Sequence, residues 1–250
     1  MDEGATQPAT QPFLDPRRQG TISMLSDQDE ADVLCILLPS SRPALQAVEL
    51  VAKATPQHIL QNHFEDDATD VDTQDGTRKS GPTSKDIALR MTSKLRDPRL
   101  GFVFGRHPQR CDLVIGDAST AGKEKLSAAH FRIFLNTAGS LMIEDISTNG
   151  TFINKDLLYS GKNLPSHERK PATHILFAGA MIGLPVLTKQ EQESIRFIVQ
   201  IPSRSEQGHM AYKENLAKYS LWLQQADRQA QVAARNNSGL PVPPLVSSIS

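Results

Sequence analysis

The sequence predicts an all-β fold, a sandwich or a barrel, carried mainly by residues between Ile87 and Ile201. Short apolar runs recur through this stretch, separated by Gly, Asn, Asp and Pro. Several of the runs alternate: in Phe131-Arg132-Ile133-Phe134-Leu135, Arg132 faces away from Phe131 and Ile133. Asn136-Thr137-Ala138-Gly139 reads as a hairpin loop between two of them. Many short strands with close turn signals indicate two packed sheets or a closed one.

Taken in order, residues 1–30 are polar and carry a short repeat, Ala5-Thr6-Gln7-Pro8 followed by Ala9-Thr10-Gln11-Pro12. Pro, Gln and Asp cannot build a core, so this tail is expected to be disordered. Ala31 to Ser41 is apolar and bounded by Pro39, which fits a first strand. Residues 44–60 have patches of helical spacing broken by Pro56, and 61–85 are acidic, then basic, with no apolar period. Residues 42–85 are therefore expected to form an insertion, flexible over 61–85. The strand-like runs that follow are Ile87–Met91, Gly101–Phe104, Asp112–Ile115, Phe131–Leu135, Leu141–Ile146, Thr151–Ile153, His174–Phe177, Met181–Leu184 and Ile195–Ile201.

After Pro202 the period changes. Tyr212, Leu216, Tyr219, Leu223, Ala226, Ala230 and Ala233 make a heptad-like stripe, so residues 203–236 are expected to form an amphipathic helix. Such a helix either docks on the β domain or makes a coiled-coil contact. Asn236 to Gly239 ends it, and residues 237–250 form a Pro-rich tail expected to be disordered.

Composition narrows the function. With 250 residues, 38% of them hydrophobic, and a mean hydropathy of -0.36, one core with disordered flanks is expected. A formal net charge of -1 argues against direct nucleic-acid binding, which usually needs a basic excess. The N-terminus is acidic and polar rather than a secretory signal, and no apolar run approaches the ~20 residues that span a bilayer. Cys35 and Cys111 lie in apolar, strand-like surroundings and read as buried reduced thiols. The seven histidines are scattered, so neither a metal site nor a cofactor is expected. No Gly-rich loop of kinase type, His-Arg-Asp or Asp-Phe-Gly is present, and Gly116 to Glu124 only mimics a Walker loop. No catalytic residue is assigned, and the chain reads as a binder rather than an enzyme.

The chemistry gathers in three short motifs: Gly105-Arg106, Ser127-Ala128-Ala129-His130 and Thr148-Asn149-Gly150. They contain no plausible nucleophile–base pair. They do supply what a phosphate dianion needs: a forked cation, a short hydroxyl and backbone N–H groups with room to approach. Arg106 follows a strand and offers a bidentate fork that lysine lacks. Ser127 donates from hydroxyl and N–H, and Asn149-Gly150 makes a tight turn in which glycine accepts positive φ. At roughly 1.5–3 kcal/mol per charge-assisted bond, less ordering, micromolar affinity is expected.

In this order and spacing the motifs resemble the forkhead-associated (FHA) domain, a phosphothreonine-peptide reader. The resemblance covers roughly residues 31–202 and implies an FHA-type β-sandwich of two twisted, mostly antiparallel sheets. It implies that Arg106 and Ser127 hold the phosphate and Asn149 binds the peptide main chain with Thr148 beside it. Lys125 would read the residue three after the phosphothreonine. Gly105, His130 and Gly150 would be structural support. Three departures stand out: Ala128 replaces a commonly polar residue, the Gly116–Lys125 loop is long, and Gly179-Ala180 stands where Gly-Asp is usual.

Thr6, Thr10 and Thr73 each precede Gln, the type of site that DNA-damage sensor kinases phosphorylate. Two such sites ahead of an FHA domain are similar to the N-terminal part of fungal DNA-damage checkpoint effector kinases. That likeness implies nuclear checkpoint signalling, phosphothreonine-containing partners, and self-association through phosphorylated Thr-Gln sites. The alternatives are a degenerate FHA scaffold without phosphopeptide binding, and the regulatory part of a serine/threonine kinase whose catalytic domain would follow in a longer form.

Overall fold

Apolar strands buried on both faces need cover on both sides, and β1 (Val33–Pro39) is buried along nearly its whole length. It is an interior strand, third in a seven-stranded sheet of order β2-β3-β1-β12-β11-β8-β9. The other members are β2 (Ile59–His63), β3 (Thr83–Arg90), β8 (Thr151–Ile153), β9 (Asp156–Leu158), β11 (Met181–Gly183) and β12 (Arg196–Gln200). A five-stranded sheet has the order β10-β7-β6-β4-β5. It is built from β4 (Phe102–Gly105), β5 (Leu113–Val114), β6 (Phe131–Leu135), β7 (Leu141–Asp145) and β10 (Ala172–Ile175). The strand pairs are antiparallel except β4 with β5. The computed structural model describes residues 25–63, 83–116, 126–161, 167, 172–184 and 194–237.

Both sheets feed one core. Phe102, Phe104, Phe131, Ile133 and Ile143 face inward from the smaller sheet, and Leu37, Leu89, Ile153, Ile182 and Phe197 from the larger. Phe104 and Phe131 stack with ring centroids 4.6 Å apart. The alternation read in the sequence is real: β6 and β7 bury every second residue at their start, with Arg132 and Glu144 on the opposite face. Asn136 and Ser140 close the hairpin between them through a 3.0 Å backbone bond.

The stretch 42–63 is part of the fold rather than external to it. Helix α2 (Arg42–Ala54) is capped by Ser41, whose hydroxyl accepts the Ala44 N–H, and has proline in its first turn. It buries Ala44, Ala47, Val48 and Val51, one helical face, against the core. β2 then pairs with β3 over Ile59–His63 and Thr83–Ile87, forming an edge of the larger sheet. Helix α1 (Asp27–Asp32) lies partly in the tail expected to be disordered. Its sequence is polar and shows no apolar period, but Ser26 caps it and Arg90 pairs with Asp29 at 2.9 Å.

Helix α3 (Glu206–Asn237) follows the predicted stripe. Tyr212, Leu216, Tyr219 and Leu223 pack on the core, whereas Ala233 is exposed. The first half therefore docks on the β domain. Arg204 fixes its start, donating to the carbonyls of Glu30 and Val33 and lying 3.6 Å over the Tyr212 ring. Cys35 and Cys111 are both buried free thiols. Residues 1–24 and 238–250 lie outside the described residues.

Candidate functional site

Arg106 leaves the end of β4, where backbone bonds sew it to the loop entering β6. Arg106 N–H donates to Ser127 O at 3.2 Å, His107 N–H to Ala128 O at 3.1 Å, and His130 N–H to Phe104 O at 2.7 Å. This approach requires glycine at 105: a Cβ there would stand 2.5 Å from Ala128 O and 2.9 Å from Ala129 Cα. The Arg106 side chain is exposed and its Nε–H donates to Leu126 O at 2.9 Å. Among the described residues its guanidinium makes no other hydrogen bond or ion pair, so one edge is anchored and the remaining donors can meet a ligand.

Ser127 links this loop to the turn between β7 and β8. Its Oγ accepts the Thr148 N–H at 3.1 Å and lies 3.4 Å from Thr148 Oγ1. Beneath them His130 is fully buried. Its Nδ1 accepts the Ser127 N–H and its Nε2–H donates to Gly150 O, each at 3.0 Å. Burial pushes the imidazole below its ordinary pKa, against the opposing pull of the Gly150 carbonyl and Asp145. The ring is therefore a neutral strut between two loops. It faces the Ser127 amide rather than its hydroxyl, so it does not form a nucleophile–base pair with Ser127.

The Thr148-Asn149-Gly150 turn is held from inside. Ser147 Oγ accepts the N–H groups of Asn149 at 3.2 Å and Gly150 at 2.7 Å, and donates to Asp145 Oδ1 at 2.7 Å. Asp145, fully buried, also accepts Thr151 Oγ1–H at 2.8 Å and Ser160 N–H at 3.0 Å. Gly150 adopts φ +86°, in the left-handed region, with Leu157 and Leu158 closed against it. Asp145, Ser147 and Ser160 were assigned no role from the sequence. A signal existed: Asp145 falls on the inward phase of Leu141, Ile143 and Asp145, and an inward carboxylate must be satisfied by donors.

Cys111 also supports the loop, its thiol donating to Ala128 O at 2.8 Å. Burial pushes that thiol up to about 11, which keeps the donor protonated. The structure thus brings Arg106, Ser127, Thr148 and Asn149 to one end of the two sheets, with Gly105, His130 and Gly150 beneath. Lys125, Thr6, Thr10 and Thr73 lie outside the described residues. A cation, hydroxyls and a tight turn on one face suit a dianionic, hydrogen-bond-accepting group.

Residues 102–178 match the family model of the FHA domain. The chain carries an FHA domain. Over 80 residues, 32% of the chain, it is 38% identical to serine/threonine-protein kinase RAD53 of Saccharomyces cerevisiae. It spans 9% of that protein's length. Among solved structures, the N-terminal FHA domain of S. cerevisiae Rad53p, in complex with a phosphothreonine peptide, is 30% identical with a TM-score of 0.31. That alignment covers 43% of this chain and 73% of the other. The FHA1 domain of yeast Rad53 is 21% identical over 82% of this chain and 96% of the other, with a TM-score of 0.37.

Proposed function

We propose that this FHA domain binds phosphothreonine-containing segments of other proteins. Arg106 and Ser127 hold the phosphate, Thr148 stands beside it, and Asn149 binds the peptide main chain. Lys125 reads the residue three after the phosphothreonine. The observation that carries the reading is the joining of three loops at one face: Arg106 anchored on Leu126 O, and Ser127 Oγ bonded to Thr148 N–H. The anchored edge of the guanidinium leaves forked donors for a phosphate, which a lysine would replace with a point charge. The FHA match over residues 102–178 supports the same reading.

The biological setting we propose is nuclear DNA-damage checkpoint signalling. Its support is the pair of Thr-Gln sites, Thr6 and Thr10, ahead of the FHA domain, together with the 38% identity to RAD53. Phosphorylated Thr6 or Thr10 would dock into the pocket of a second copy or recruit a partner carrying a similar domain.

Calorimetry with phosphothreonine peptides, including ones spanning Thr6 and Thr10, tests the site. Wild type is expected to bind in the micromolar range and to ignore the unphosphorylated peptide. Arg106→Ala removes two or more charge-assisted bonds of ~1.5–3 kcal/mol each and is expected to weaken binding at least ~100-fold without unfolding the domain. Undiminished affinity in the folded variant would refute the assignment.

A further inference from the structure

A cleft of about 450 Å3 opens on the outer face of the five-stranded sheet. Strand register sets its floor: Val103 lies opposite Arg132, and Arg132 opposite Glu144. Arg132 and Glu144 are ion-paired at 2.5 Å, so each neutralises the other. Leu100, 44% exposed, forms one wall. Ala129 and Ile146 form the wall towards the site, each two residues from a site residue, Ser127 and Thr148 respectively. Arg110 completes the lining; it is exposed and makes no ion pair or side-chain hydrogen bond among the described residues.

We infer that this cleft is a second recognition site, for an aliphatic side chain next to a carboxylate, carried by the same segment that presents the phosphothreonine. The inference rests on the phosphothreonine reading of the Arg106–Ser127 face. Continuity decides the occupant. The cleft begins where the Ser127 and Thr148 loops end, with Ala129 and Ile146 in its wall, so one extended segment can reach both. Chemistry decides the side chains. Leu100, Val103, Ala129 and Ile146 offer apolar surface, which favours an aliphatic group. With Arg132 and Glu144 paired, Arg110 is the lining charge left without a partner among the described residues, so an acidic neighbour is attracted and a basic one repelled.

An oriented phosphothreonine-peptide library, screened against the full chain and against Leu100→Ser and Arg110→Glu, tests this. Both positions are exposed, and thermal unfolding of each variant checks that the fold is kept. Wild type is expected to enrich Leu, Ile or Val beside Asp or Glu within about five residues of the phosphothreonine. Leu100→Ser is expected to lose the aliphatic preference and Arg110→Glu to turn the acidic preference basic. Each variant should bind the best wild-type peptide about 3- to 5-fold more weakly, as for an exposed contact. The cleft assignment is overturned if wild type shows no flank preference, or if both variants keep it while Arg106→Ala still abolishes binding. Failure of wild type to prefer phosphothreonine over threonine would instead overturn the reading of the main site, and the cleft's role with it.

Discussion

Asp145 braces the candidate site from within the core. Its carboxylate takes hydrogen bonds from Ser147 Oγ, Thr151 Oγ1 and Ser160 N–H, and Ser147 in turn holds the amides of Asn149 and Gly150. Replacing it by alanine leaves several buried donors without an acceptor. At ~1–3 kcal/mol for an unsatisfied buried group, Asp145→Ala is expected to cost about 3 kcal/mol or more of stability. Urea unfolding checks this. The same variant should bind phosphothreonine peptide more weakly than wild type under conditions where both are folded, because the Thr148–Gly150 turn loses its brace. A loss below about 1 kcal/mol would show that water or a rearranged turn replaces the carboxylate.

Among the elements, α3 divides into a docked and an exposed part. Tyr219 is 9% exposed and belongs to the main core, while Ala233, on the same predicted stripe, is exposed. Burial pushes the Tyr219 hydroxyl up to about 12, so it stays neutral at any ordinary pH. Tyr219→Ala is expected to cost ~3 kcal/mol, in the range of large-to-small core changes, and Ala233→Glu to stay within ~0.5 kcal/mol. Thermal unfolding separates them. Equal effects would mean that the whole stripe is buried in solution, as a coiled-coil contact requires. The heptad stripe alone left both arrangements open, because docking and coiling demand the same apolar spacing.

At the scale of the molecule, two buried histidines tie stability to pH. Burial pushes His58 below its ordinary pKa; the Ala88 carbonyl and Asp112 oppose the shift and Arg90 adds to it. His130 is pushed down in the same way. A histidine depressed in the folded state binds its proton more readily when unfolded. Its stabilising effect is therefore full above the unfolded pKa of ~6.5 and is lost as pH falls below it. Chemical denaturation at pH 7.5 and pH 5.0 should show lower stability at the acid end, with a slope of up to about 1.4 kcal/mol per pH unit for each histidine. A flat profile would mean that one or both rings accept a proton without leaving the fold. Folded His130 takes up its proton only at a lower pH, below its depressed pKa, and once protonated it could no longer accept the Ser127 N–H, so the site loosens there.

The strand runs from Ile87 to Ile201 were legible because alternation and turn residues are local signals, and the structure places strands on each of them. β9 was not legible: three residues with an exposed surface carry no period, and only pairing with β8 makes them a strand. β2 was hidden likewise, since its strand character depends on β3, distant in sequence. For the site, the sequence by itself singled out the candidate ligand-binding groups, Arg106, Ser127, Thr148 and Asn149, by side-chain chemistry and order. Only the tertiary structure decided what holds them. His130 joins Ser127 to Gly150, Cys111 caps Ala128, and Asp145 braces the turn from within the sheet. The physical reason is that a ligand-facing group is defined by its own donors, whereas a supporting group is defined by partners that folding brings to it.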